Sequence, residues 1–171
     1  MNTTTEPRVW IGCLACYNGG DLTGKWIDAI EAGDVTPESL HGHATDHEEL
    51  WCMDLEGFPS VSGEMSPSEA QAIAERMAEV GEDAGPFAAW CSYNGHDMTQ
   101  GDLDAFRDDY CGEYDSGEDY AQELAEESET LLTAWPYSCI DWKDAWHELE
   151  MGGGYWSEAA GNGNVWIFRS N

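Results

Sequence analysis

A cysteine pair, a group of histidines and a dense set of carboxylates are the side chains in this sequence that could do chemistry. Cys13 and Cys16 are separated by two residues, a spacing used by redox and zinc sites when it falls in a turn or at a helix start. Here the pair lies in residues 8–16, whose apolar residues alternate as in a strand. We therefore expect the two thiols to point to opposite faces and to serve core packing.

Three histidines, His41, His43 and His47, stand beside Glu48 and Glu49. Imidazoles at this density could bind a metal, but no cysteine pair of zinc-finger spacing accompanies them. We interpret the segment as an exposed polar loop.

Carboxylates are abundant, yet the motifs that would give them a standard role are missing. An EF-hand loop requires glycine at its sixth position. Counted from Asp102 that position is Arg107, and counted from Asp115 it is Tyr120. The phosphate-binding GxxxxGK[ST], the dinucleotide-binding GxGxxG after a strand and the nucleophile motif GxSxG are also absent from the sequence. We predict a binding protein without catalytic residues, cofactor or metal site.

The acids are densest in residues 102–129, where Arg107 is the one base. We predict that the acids of this segment bind the partner: Asp102, Asp104, Asp108, Asp109, Glu113, Asp115, Glu118, Asp119, Glu123, Glu126, Glu127 and Glu129. Aromatic residues and leucines interrupt the run, so the segment can fold and hold its charge in a fixed pattern. An acid at every second or third residue of a helix gives a charge every ~3–4 Å, close to the phosphate spacing of one DNA strand.

The whole chain is strongly acidic. Its 171 residues include 35 acids and 6 bases, a net charge of −29, and also nine Trp and seven Tyr that can build a core. Such a charge excludes direct binding to nucleic acid or to anionic membranes and favours basic partner surfaces.

Residues 1–7 form a short polar segment, and no stretch of 18 apolar residues occurs. We therefore expect a cytoplasmic protein with reduced thiols.

Local patterns predict an α+β fold. Strands are expected at residues 8–16, 25–30 and 50–55, and a hairpin at 155–159 and 165–169. Helices are expected to begin near Thr36, Ser66, Pro86, Thr99, Ser116 and Asp141. Three small modules follow, at residues 1–64, 65–100 and 101–171: an antiparallel sheet with a short helix, a helical middle, and acidic helices with a hairpin. We place Trp26 in the core.

Several long segments carry a family resemblance. They are CLACYNGGDLTGKWIDA (13–29), DLEGF (54–58), FAAW (87–90), AFRDDYCGEYDSGEDYAQEL (105–124), IDWKDAWHEL (140–149) and VWIFR (165–169). With them the sequence resembles the ArdA antirestriction proteins of plasmids, transposons and phages. It departs from the family pattern at Leu55 and Tyr114 and in the His-rich loop 36–49.

The resemblance implies an elongated protein of three modules that forms an end-to-end homodimer and mimics bent B-form DNA. It implies competitive occupation of the DNA groove of Type I restriction–modification enzymes, which protects incoming mobile DNA. The antirestriction motif would correspond to residues 118–130, near the dimer contact. Three alternatives remain open: a DNA mimic aimed at another DNA-binding protein, an acidic metal- or calcium-binding protein, and a halophilic enzyme.

Overall fold

A computed structural model describes residues 6–59, 61, 63–128 and 132–170. It shows an α+β protein whose contacts divide into two compact units, Met1–Gly101 and Asp102–Asn171. The division into three modules remains a prediction about folding units.

The first unit is built on a three-stranded antiparallel sheet. Its strands are β1 (Arg8–Cys13), β2 (Gly24–Asp28) and β3 (Leu50–Glu56), in the order β2-β1-β3. Val9 and Ile11 alternate inward from β1 and are fully buried. They join Ala70 and Ala74 in one core cluster, so the sheet needs its helical cover to exclude water.

The expected strand over residues 8–16 ends earlier, at Cys13, and the chain then enters helix α1 (Leu14–Gly19). The thiols of Cys13 and Cys16 are therefore not on opposite faces of one strand, and that prediction is wrong. The N–H of Leu14 still donates to the carbonyl of Glu49 (3.0 Å), which continues the register of the β1–β3 pairing by one hydrogen bond before the chain follows α1. Gly20 then ends the helix in the left-handed conformation (φ 92°).

Short helices connect the strands. The second strand is also shorter than predicted, because the 3-10 helix Ala29–Asp34 follows it directly. Helix α2 (Pro37–His41) begins as predicted: Thr36 and Ser39 form a reciprocal capping box with Pro37 at the first position.

Helices α3 (Pro67–Val80) and α4 (Ala84–Tyr93) complete the first unit. The predicted capping box at Ser66 is confirmed, since its hydroxyl accepts from the Glu69 N–H while the Glu69 carboxylate accepts from the Ser66 N–H. Helix α4 begins two residues before Pro86. Trp26 is 38% exposed beside Arg8, so the prediction that it is a core residue is wrong.

The second unit contains α5 (Leu103–Asp109), β4 (Tyr110–Tyr114), α6 (Gly117–Glu126), α7 (Trp142–Met151), β5 (Tyr155–Ala159) and β6 (Val165–Arg169). The β5–β6 hairpin matches its predicted bounds, and β4, which was not predicted, pairs with β6 to give the antiparallel order β4-β6-β5. Tyr120, Ala121, Trp146 and Ile167 form the core under this sheet. Helix α6 lies close enough to α7 that a Cβ on Gly117 would overlap the Trp146 indole.

No helix in the part of the chain that the structure describes is long and apolar enough to cross a membrane.

Candidate functional site

The acids predicted to bind a partner lie on α5, β4, α6 and their flanks, except Glu129, which is outside the described residues. Nine of the others are exposed, and we call them the acidic face: Asp102, Asp104, Asp108, Glu113, Asp115, Asp119, Glu123, Glu126 and Glu127. Glu118 is half-buried. Asp109 is only 7% exposed, so the structure buries one of the acids that were predicted to bind the partner. It ends α5 at the point where the chain enters the sheet.

Two acids of the face stabilise the starts of helices, Asp102 as the N-cap of α5 and Asp119 within the first turn of α6. The Asp102 carboxylate accepts from the N–H groups of Asp104 (2.9 Å) and Ala105 (3.1 Å), so this residue, rather than Thr99, is the N-cap of α5. Ser116 caps α6 as predicted, and its hydroxyl donates to the Asp119 carboxylate. Both negative charges sit in or before the first turn, where the helix dipole stabilises them.

Glu113 has a structural role that the sequence did not indicate. One carboxylate oxygen accepts from the side-chain amides of Asn162 and Asn164, both at 2.8 Å, and the other accepts from the Trp166 indole N–H at 3.2 Å. These donors, Asn162 first, hold the pKa of Glu113 below its usual range. The carboxylate therefore joins β4 to the loop and second strand of the hairpin.

The outer surface of α6 carries acids over a packed inner surface. Tyr120 and Ala121 are buried, while Glu123 accepts from the Tyr114 hydroxyl (3.2 Å). Burial first, and then this hydrogen bond to Glu123, raise the pKa of Tyr114 to about 12. The tyrosine thus remains a neutral donor that orients a negative charge.

Little positive charge offsets these carboxylates. The full sequence has only six Lys and Arg. Among the described residues, three of the arginines already form ion pairs within the chain: Arg8 with Asp28 (3.5 Å), Arg76 with Glu79 (2.7 Å) and Arg107 with Asp104 (3.4 Å). The acidic face therefore presents a negative field, suited to a cationic surface and not to phosphate.

A second cluster, in the first unit, was missed by sequence reasoning. Cys13, Cys16, His41 and His47 each place one ligand atom so that all four lie within 4.8 Å of one another, the one such group found in the described part of the chain. The exposed-loop interpretation holds for His43 and is wrong for His41 and His47, which are half-buried. The sequence signal that could have indicated this cluster is C-x2-C followed by H-x5-H. The segment between the cysteine pair and the histidine pair is longer than in a zinc finger, and the fold brings the two pairs together.

Comparison with known proteins identifies the family. No curated protein shows significant similarity to the chain. The family model described as antirestriction protein (ArdA) matches residues 9–161 of the 171, which includes most of each compact unit. The earlier resemblance is confirmed, and the chain belongs to the ArdA family of antirestriction proteins.

Proposed function

We propose that this antirestriction protein mimics B-form DNA and competes for the DNA-binding groove of Type I restriction–modification enzymes. The observation that carries the proposal is the acidic face, in which folded elements hold exposed carboxylates at fixed positions with few compensating cations. Carboxylates would take the place of phosphates against Lys and Arg of the enzyme. Because phosphate contacts carry no sequence information, one such protein can act on enzymes of many sequence specificities.

The inhibitor acts as a stoichiometric competitor, without catalysis, and we propose that it does so as a homodimer. A dimer carries twice −29, or −58, which is about the charge of 29 base pairs of duplex DNA. Trp135 and Tyr137 support a contact in the second unit, since they are 83% and 47% exposed and would gain from burial. Trp135→Ser is expected to shift the sedimenting mass from dimer to monomer. A wild-type chain that sediments as a monomer at working concentrations contradicts the dimer.

Gel-shift competition tests the target. A purified Type I methyltransferase core is bound to labelled DNA carrying its site, and the full chain is added at increasing salt. Release of DNA is expected at low salt and should weaken as salt screens the carboxylates. Failure to release DNA at any salt concentration contradicts the proposal.

Two neutralised variants locate the contact surface. The first removes four exposed acids of the acidic face while leaving the N-cap residues and Glu113 intact: Asp108→Asn, Asp115→Asn, Glu126→Gln and Glu127→Gln. The matched control removes four exposed acids of the first unit: Glu31→Gln, Asp34→Asn, Glu56→Gln and Glu64→Gln. Exposed ion pairs contribute about 0.2–1 kcal/mol each, so losing four of them should weaken competition by between roughly fourfold and several hundredfold. Equal losses would indicate that total charge matters and the acidic face does not.

A further inference from the structure

We propose that Cys13, Cys16, His41 and His47 form a structural zinc site in the first unit. The family assignment neither requires nor supplies such a site, and the inference does not depend on the proposed target.

The backbone brings the four side chains together from three places in the chain. Cys13 is the last residue of β1, and Cys16 follows within the first turn of α1, so a three-residue step returns its thiol to the same side. His41 is the last residue of α2, which Gly42 ends in the left-handed conformation (φ 74°). His47 lies in the following loop, where its N–H donates to the Thr45 hydroxyl (3.2 Å).

The distances fit a tetrahedral ion. The Nδ1 atom of His47 is 3.2 Å from the Cys13 Sγ and 3.5 Å from the Cys16 Sγ, and the Nε2 atom of His41 is 3.9 Å from the Cys16 Sγ. With Zn–S bonds of about 2.3 Å and Zn–N bonds of about 2.0–2.1 Å, sulfur and nitrogen ligands of one tetrahedral zinc lie roughly 3.6 Å apart. The observed separations fall on both sides of this value. Small rotations of the side chains are enough to place all four atoms around one ion.

The donor set selects the metal. Two thiolates and two imidazoles suit zinc, whereas calcium and magnesium require oxygen ligands. Four protein ligands leave no open position, which is the arrangement of structural sites and not of catalytic ones. Zn²⁺ would displace the two thiol protons into solvent, so the charge of the ion and the two thiolates cancels. The overall charge of −29 is then unchanged.

The site would stabilise a segment that has little else to hold it. Residues 42–49 contain no helix or strand, and α2 has only five residues, too few to be stable alone. A backbone hydrogen bond from Leu14 to Glu49 already fixes the end of this loop to the start of α1. An ion bound by all four side chains would fix its beginning and middle to the same point.

Metal content and cobalt spectra of the full chain, purified in reducing buffer, provide the test. Wild type is expected to hold one zinc per chain and, after exchange, to show the visible bands of tetrahedral cobalt with thiolate ligands. Cys16→Ser and His47→Gln should lose that zinc. The matched controls His43→Gln and Cys139→Ser should retain it, because His43 donates its Nδ1–H to the Ala44 carbonyl and Cys139 is exposed in the second unit.

Alkylation of wild-type protein keeps the test decisive if the ligand variants fail to fold. Zinc should protect Cys13 and Cys16 from iodoacetamide while Cys139 reacts, and a chelator should abolish the protection of Cys16. A wild-type chain that takes up no zinc in reducing buffer overturns the proposal. So does zinc retained by both ligand variants, or a Cys16 that reacts equally with and without zinc.

Discussion

Replacing Glu113 by glutamine separates the structural role of a carboxylate from its charge. Each Glu113 oxygen accepts hydrogen bonds: one from two asparagine amides of the hairpin loop, the other from the Trp166 indole. In glutamine one of these oxygens becomes an NH₂ group. Whichever way the new amide turns, a donor then faces a donor. The substitution is nearly isosteric and removes one charge of 35 acids, yet it should loosen the hairpin.

The expected size follows from the hydrogen bonds. A net contribution of about 0.5–1.5 kcal/mol applies to an ordinary hydrogen bond, and more where one group is charged. Glu113 is exposed, so water competes for the same carboxylate and the lower end applies. The substitution removes one or two of these hydrogen bonds and leaves the others without a charged acceptor. We therefore expect the free energy of unfolding to fall by about 1–2 kcal/mol. For a unit of fewer than 100 residues, each kcal/mol lowers the melting temperature by roughly 4–8 °C.

Urea unfolding measures the loss of stability, and hydrogen exchange followed by mass spectrometry locates it in the chain. Amides of β4, β5 and β6 should exchange faster in Glu113→Gln, while peptides from the first unit stay unchanged. Asp115→Asn is the matched control, because it removes the same charge from an exposed position one residue beyond β4. If Glu113→Gln is as stable as Asp115→Asn, the carboxylate adds charge only and the structural reasoning is refuted.

The same contact gives a pH dependence with a definite sign. Hydrogen bonding lowers the pKa of Glu113 in the folded protein. A carboxylate whose pKa is lowered by folding stabilises the protein. That contribution is fully present above its pKa in the unfolded chain, about 4.3, and is lost as pH falls through its pKa in the folded protein. The stability difference between wild type and Glu113→Gln should therefore be constant near neutral pH and shrink below about pH 4. Urea unfolding at several pH values measures this stability difference. A difference that grows on acidification contradicts the lowered pKa of Glu113.

Three further substitutions test packing and capping by urea unfolding. Gly117→Ala should cost about 1–3 kcal/mol because the new methyl overlaps the Trp146 indole. The control Gly154→Ala, which meets nothing within 4 Å, should cost less than half of that, and equal costs would refute the close approach. Phe87→Ala should cost about 3–5 kcal/mol since Phe87 is fully buried, and a loss under 1 kcal/mol would contradict its place in the core. Ser66→Ala should cost about 1 kcal/mol through loss of the α3 cap, and an unchanged midpoint would show that the cap is not needed.

Local sequence signals predicted the elements whose ends are fixed by their own residues. Ser66, Ser116 and Asp141 each accept a hydrogen bond from a backbone N–H two or three residues ahead, and each helix begins where these residues indicate. The hairpin bounds were also correct, because alternating residues flank a glycine-rich turn. In these cases the information that decides the structure lies within a few residues of the boundary.

Features decided by distant residues were missed. Strand β4 forms because β6, more than 50 residues later, offers an edge for pairing. The five residues of β4 have no clear alternating pattern, so their own sequence does not predict a strand. Cys13 to Cys16 fits one helical turn as well as a strand, and the pattern of these few residues does not distinguish the two. Glu113 is indistinguishable in sequence from its acidic neighbours until the hairpin brings its donors.

Some acids of the second unit accept hydrogen bonds that hold the fold, and others contribute only charge. This difference has a consequence for how such a sequence can diverge. Asp102, Glu113 and Asp119 are held at their positions by hydrogen-bond geometry, so substitution there is opposed by loss of folding. Asp108 and Asp115 add to a field that depends on charge and distance, and an acid one or two residues away would serve almost as well. Over generations the first group should stay fixed while the second drifts. Relatives would then share a sparse set of invariant positions in a background of interchangeable acids.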